Sequence, residues 1–155
     1  MASRRKGRIL AFQALYSWDL VYGQTGKALI PEGLLDFGWL ENEKKDSLDE
    51  ETLAFSRLLV SGTVENIAAI DSMIKKHLKN WDFSRVSKVD LALLRMSAYT
   101  LMYQTETAPS IVINEAIGIS KEFGTDDSYR FINGVLDGIH KNPGASPNGQ
   151  ENPAV

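Results

Sequence analysis

The sequence predicts an all-α protein, a compact bundle of about seven helices. Three observations predict it. Apolar residues recur at helical spacing through nearly the whole chain, the periodic runs are bounded by residues that start and stop helices, and no two runs read as paired strands. At 155 residues the chain is long enough for one domain with a sizeable core.

The first helix is expected over about Arg4 to Val21. Leu10, Ala14, Trp18 and Val21 form its stripe, flanked by Ala11 and Leu15, and Gly23 follows its end. Leu34, Leu35, Phe37, Trp39 and Leu40 suggest a short second helix with Pro31 in its first turn, where a missing N–H costs nothing; Gly38 weakens it. Glu41 to Glu51 reads as an acidic linker in which Ser47-Leu48-Asp49-Glu50 fits a capping box. One long helical pattern then runs through Phe55, Leu58, Leu59, Val64, Ile67, Ile70, Ile74 and Leu78, with Gly62 as a kink or a close contact. Trp81 to Arg85 reads as a turn or a single helical turn.

Ser87-Lys88-Val89-Asp90 is a second capping box with Asp in place of Glu. It opens the segment Leu91 to Tyr103, which is apolar on most sides and therefore a central helix wrapped by the others. Pro109 starts a helix through Ile113, Ile117 and Phe123, closed by Gly124. Thr125-Asp126-Asp127-Ser128 caps a last helix whose stripe is Ile132, Val135, Leu136 and Ile139. Residues 142–155 hold three prolines and two glycines with almost no apolar bulk, and read as a disordered tail.

Composition narrows the function classes. Apolar residues make up 43% and charged residues 24% of the chain, and no apolar run approaches the roughly 18–20 residues that span a bilayer. Gln13, Ser17 and Asp19 interrupt the one apolar run near the N-terminus, so it reads as mature structure and not as a signal peptide. Cysteine is absent, which fits a reducing, cytoplasmic setting and excludes disulfides and thiolate metal sites. His77 and His140 lie in no metal-ligand spacing, and there is neither a Gly-rich phosphate loop nor a nucleophile elbow. The chain therefore reads as a binding protein without cofactor or metal, not as an enzyme. Its charge is uneven: +4 in the first eight residues against −3 for the whole leaves −7 for the rest. A basic tip on an acidic body suits a localised polyanion contact; the bland alternative is a solvated, disordered start.

Four stretches, in this order and spacing, resemble the NusB family of bacterial transcription antitermination factors. They are Arg4-Arg5-Lys6 through Ala14-Leu15-Tyr16-Ser17-Trp18, Val89 through Arg95, Ile113-Asn114-Glu115-Ala116, and Phe123-Gly124-Thr125-Asp126-Asp127-Ser128-Tyr129-Arg130-Phe131-Ile132-Asn133-Gly134-Val135-Leu136-Asp137. The resemblance covers about residues 4–140. It implies a helical domain over 1–141 in two subdomains, about 1–80 and 81–141, followed by the tail. It also implies binding of boxA-type single-stranded RNA together with the ribosomal protein NusE, within an RNA polymerase antitermination complex. Some members of the family pair into homodimers. The sequence departs from the family pattern at Ser110, where a lysine is common, and at Gly118 and Gly138, each expected to cost about 0.5–1 kcal/mol relative to alanine inside a helix.

The candidate RNA-binding residues are Arg4, Arg5, Lys6, Arg8, Tyr16, Arg95, Asp127 and Phe131. The four cations answer phosphates. Arg5 and Tyr16 are eleven residues apart, about three helical turns, so they share a face with Arg8 close by. Tyr16 reads either as part of that track or as a core-edge tyrosine. Phe131 lies about 100° from Ile132 on the last helix, with Asp127, Gly134 and Gly138 on its own face. It is placed either to stack on a base or to fill a gap between helices. Asp127 either accepts a base amino or 2′-hydroxyl proton or caps the helix. In the family this segment meets the RNA. Arg95, in the most apolar helix, needs a partner. Asp90 is poorly placed, so the choice lies between a buried ion pair with another helix and a contact near the RNA path. Asn114, Glu115 and Asn133 read as interhelical hydrogen-bonding residues. The competing function is a protein-binding helical adaptor or homodimer. A methyltransferase fragment would need a downstream α/β domain and is set aside.

Overall fold

The central element is α5, Lys88–Tyr103, whose ten residues from Leu91 to Thr100 are all buried. Its start is fixed by Ser87, whose hydroxyl accepts the Asp90 N–H at 3.1 Å, the N-cap half of the expected capping box. The computed structural model describes residues 3–23, 28–79 and 82–143. The remaining helices are α1 (Arg4–Tyr22), α2 (Asn42–Asp46), α3 (Glu50–Glu65), α4 (Ile67–Lys76), α6 (Pro109–Phe123) and α7 (Ser128–Lys141). Two 3-10 turns, Leu34–Asp36 and Phe83–Arg85, complete the described residues, among which there is no strand. The expected tail falls outside the described residues from Gly144 on, and so does Trp81.

Helices α1, α3, α4, α6 and α7 all pack on α5. α1 buries Leu10, Ala11, Ala14, Leu15 and Trp18, while Val21, expected in that stripe, is 67% exposed and Tyr22 packs against the core in its place. α7 buries Ile132, Val135, Leu136 and Ile139 as the spacing predicts. Leu93, Leu94, Ile119, Ile132 and Leu136 are fully enclosed in one cluster, each contributing about 1.5–3 kcal/mol of apolar burial. No single helix among the described residues is long and apolar enough to cross a membrane.

Three local expectations are corrected. The segment 34–40 is a single 3-10 turn, not a helix: Phe37 turns into the left-handed region at φ 53° and buries its ring completely. The linker 41–51 contains α2, and the cap of α3 is Asp49, not Ser47. The Asp49 carboxylate accepts the Thr52 N–H at 2.8 Å, and hydrogen bonds from the Thr52 hydroxyl first and its N–H second hold its pKa down at about 2. Ser47 instead closes α2, its hydroxyl donating to the Lys44 carbonyl. The long pattern from Phe55 to Leu78 is two helices, bent by 76° at Asn66, whose side-chain amide donates to the Gly62 carbonyl at 2.8 Å and ends α3.

Gly62 itself supplies close approach. A Cβ there would lie 2.1 Å from Cζ of Tyr99, whose ring stacks on Tyr103 and whose hydroxyl accepts a hydrogen bond from Gln104. Gly62→Ala is therefore expected to cost about 1–3 kcal/mol by overpacking, visible as a loss of a few degrees in Tm at about 2–4 °C per kcal/mol. An unchanged or raised Tm would show that the Tyr99 ring yields freely.

Candidate nucleic-acid interface

The basic tip is helical from Arg4, so the disordered alternative is excluded for residues 4–8. Its order has a local cause. The Ser3 hydroxyl caps α1 by accepting the Lys6 N–H at 3.2 Å, and the Ser3 N–H donates to Thr52 Oγ1 at 2.9 Å. Ser56 Oγ donates to the Gly7 carbonyl at 2.8 Å, and a Cβ on Gly7 would come within 2.8 Å of the Phe55 ring. The first turn of α1 is thus fastened to α3. The Arg4 guanidinium lies 4.3 Å over the Phe55 ring and that of Arg8 5.4 Å from it. Lys6 is exposed.

The four cations differ in how they are held. Arg8 dips into the crease between α3, α5 and α6, beside Leu59, Met96 and Val112. Burial lowers its pKa, the charge of Glu115 opposes that, and Arg4 adds to it. Arg5 lies along α6 and pairs with Glu115 at 3.2 Å and Glu122 at 3.6 Å. Tyr16 lies on the same α6 side, half-buried in an apolar depression of about 210 Å³ with Phe12, Gln13, Val89 and Phe123. Arg5 and Tyr16 therefore both lie along the α6 side of α1, as their spacing predicts, with Arg8 in the neighbouring crease.

At the far terminus Asp127 is exposed and its side chain caps nothing; the Ser128 hydroxyl accepts the Thr125 N–H instead, at 3.0 Å. That removes the capping role weighed for Asp127. Phe131 is half-buried, resting on the core with one side toward a groove of about 450 Å³. Gly134 and Gly138 line that groove beside it, and His77, Lys79, Arg130 and Lys141 surround it with cations or a titratable ring, Lys141 being paired with Asp137 of the same groove at 3.0 Å. Those four were missed. Lys141 and Arg130 could have been suspected from their place on α7, but the wall made by the end of α4 is 50 or more residues away in sequence. Burial lowers the His77 pKa, with Lys76 and Lys79 acting the same way and a hydrogen bond to the Asn142 backbone opposing them. Phe131 and Tyr16 line different depressions with no residue in common; the short turn from Gly124 to Asp127 joins α7 to α6, whose Phe123 lines the depression beside Tyr16.

Arg95 belongs to the interior, and its assignment as an RNA contact is corrected. It is 3% exposed. Its Nε and Nη2 donate to the two Asp71 carboxylate oxygens at 2.8 and 2.9 Å, and Nη1 donates to Asp19 at 2.9 Å. Burial alone would lower its pKa; the hydrogen bonds and charges of Asp71, then Asp19, outweigh that and raise it. All three guanidinium nitrogens are engaged, so a ligand's phosphate would have to break this pairing to reach them. The two departing glycines also find a use. A Cβ on Gly118 would meet the Arg5 guanidinium at 3.0 Å, and one on Gly138 would meet the His77 ring at 2.8 Å.

Fold and site together define a small all-helical protein with a docked basic strip and a separate groove of cations around one aromatic ring. The NusB family pattern matches residues 5–141, and the chain belongs to the NusB family. It is 49% identical over 138 residues to the transcription antitermination protein NusB of Treponema pallidum, covering 89% of this chain and 92% of that protein. Among solved structures, NusB of T. maritima superposes with a TM-score of 0.76 at 30% identity, covering 91% of this chain and 93% of that one. A crystal structure of the antitermination factors NusB and NusE in complex with dsRNA gives a TM-score of 0.74 at 30% identity, covering 89% and 96%.

Proposed function

We propose that this chain is an RNA-binding transcription antitermination factor that takes boxA-type single-stranded RNA together with the ribosomal protein NusE, in the RNA polymerase antitermination complex. In this reading it acts in the cytoplasm and as a binding protein, not as an enzyme. The observation that carries the reading is the docking of the N-terminal turn on α3, which holds Arg4 and Arg8 on the Phe55 ring and sets Lys6 in solvent. Cations ordered before binding lose less conformational entropy when they meet phosphates. Tyr16, Asp127 and Phe131 complete the proposed RNA contacts, Phe131 by stacking on a base. Exposed Leu20, Val21 and Trp39 support a protein partner alongside the RNA. The division into subdomains over about 1–80 and 81–141 is part of the same proposal.

The test is a titration of the purified protein with boxA-type RNA and a scrambled RNA, with and without NusE, at several salt concentrations. Preference for boxA-type RNA supports the reading, and equal or absent binding with a NusE complex intact would favour a protein adaptor. Deleting residues 1–6 is expected to weaken binding to both RNAs alike and to flatten the salt dependence by roughly 0.7 for each phosphate no longer neutralised. Abolished sequence preference with the slope unchanged would reverse the roles of tip and groove.

A further inference from the structure

Arg5 stands apart from the other cations of the tip. Among the described residues no carboxylate lies in ion-pair range of Arg4, Lys6 or Arg8, whereas Arg5 meets two, Glu115 at 3.2 Å and Glu122 at 3.6 Å. The site for its guanidinium is built into α6. Glu115 and Glu122 sit three residues before and four after Gly118, on one helical face, and Gly118 leaves open the place where the guanidinium lies, 3.0 Å from where a Cβ would be. Arg5 is thus held by carboxylates at two points, and the charge of Glu115 also acts on Arg8. Arg4 and Arg8 themselves rest on a neutral ring.

We propose that Glu115 and Glu122 act as an internal competitor for the RNA backbone. They occupy Arg5 in the free protein, so that the strand takes its phosphates from Arg4, Lys6 and Arg8. The proposal rests on the reading of the tip as an RNA contact. The pairing is at the surface, with Arg5, Glu115 and Glu122 side chains 47%, 28% and 54% exposed, so its strength is modest and depends on salt. It lowers affinity for any polyanion and leaves the groove around Phe131 to decide which RNA is kept.

The experiment measures binding of boxA-type RNA by fluorescence anisotropy, from about 50 to 200 mM salt, for the full chain and for Glu122→Gln, Glu115→Gln and the double variant. Glutamine keeps the size of each side chain and removes its charge. The double variant is expected to bind about two- to fivefold tighter at the low end of salt and to show a slope steeper by roughly 0.7, as Arg5 joins the phosphate contacts. Arg5→Ala should cost little in the otherwise unchanged chain and should cancel the gain in the double variant. Unchanged or weaker binding, or an Arg5→Ala loss as large in the unchanged chain as that of Arg4→Ala, would overturn the proposal and leave the glutamates as a clamp between α1 and α6. Glu122→Gln, at the more exposed carboxylate, gives the same answer if the double variant fails to fold. An unchanged chain that binds no RNA would instead overturn the functional reading beneath it, and this proposal with it.

Discussion

Arg95→Met is expected to lower the melting temperature by roughly 6–20 °C, the equivalent of about 3–5 kcal/mol lost when one member of a buried ion network is removed. The reason is what the change leaves behind. Asp19 is 3% exposed and held by Arg95 Nη1 at 2.9 Å and Lys88 Nζ at 3.1 Å. Without Arg95 its carboxylate keeps only the lysine, inside an interior shared with Trp18, whose ring lies 5.8 Å from the guanidinium. Asp71, at 19% exposure, recovers part of its hydration, but Asp19 cannot. Replacing Asp19 as well, as in Asp19→Leu with Arg95→Met, should restore much of the loss, since paired removal of buried charges is often close to neutral. Thermal denaturation followed by circular dichroism measures both. A loss below about 1 kcal/mol for Arg95→Met would mean that water reaches this network.

Phe131→Leu is expected to weaken boxA-type RNA binding by about 5- to 150-fold, the range of one base-stacking contact of roughly 1–3 kcal/mol, while changing stability by less than about 1.5 kcal/mol. Leucine is chosen because Phe131 rests on the core with one side. Alanine would open a hole there and confuse the two roles, whereas leucine keeps most of the apolar volume and removes only the flat face. Phe131→Tyr should bind nearly as well as phenylalanine. If leucine binds RNA as tightly as phenylalanine, the ring is only a wall between α7 and the end of α4.

Much of the fold could be read from residues alone because its signals are local. Ser87 and Pro109 mark where α5 and α6 begin, and the stripe of α7 is complete in sequence. The break at Asn66 was hidden because Val64, Ile67 and Ile70 keep apolar spacing through the bend, while its cause is a single amide turned back onto a carbonyl. The 34–40 segment misled because Phe37 gives up helical backbone to reach the core, a tertiary demand that overrides propensity. In the site, the charges of the tip were legible but not their division. Glu115 and Glu122 are 110 and more residues from Arg5, and the groove beside Phe131 needs His77 and Lys79 from another helix. The pairing of Arg95 with other helices followed from burial logic, since no acid within its own helix was well placed.

The span of the Asp19–Arg95 pair, 76 residues, also sets an order of events during synthesis. At roughly 5–20 residues per second, α1 waits on the order of 4–15 s after leaving the ribosomal active centre before its ionic counterpart is even made. Its contacts with α3 come sooner, 49 residues on, through Thr52 and Ser56. The nascent chain therefore carries Trp18 and Leu15 without the cover of α5 for several seconds. The α6 and α7 pair, joined by a four-residue turn, is ready to close almost as soon as it emerges, so completion of the molecule comes from its last-made half folding back over its first.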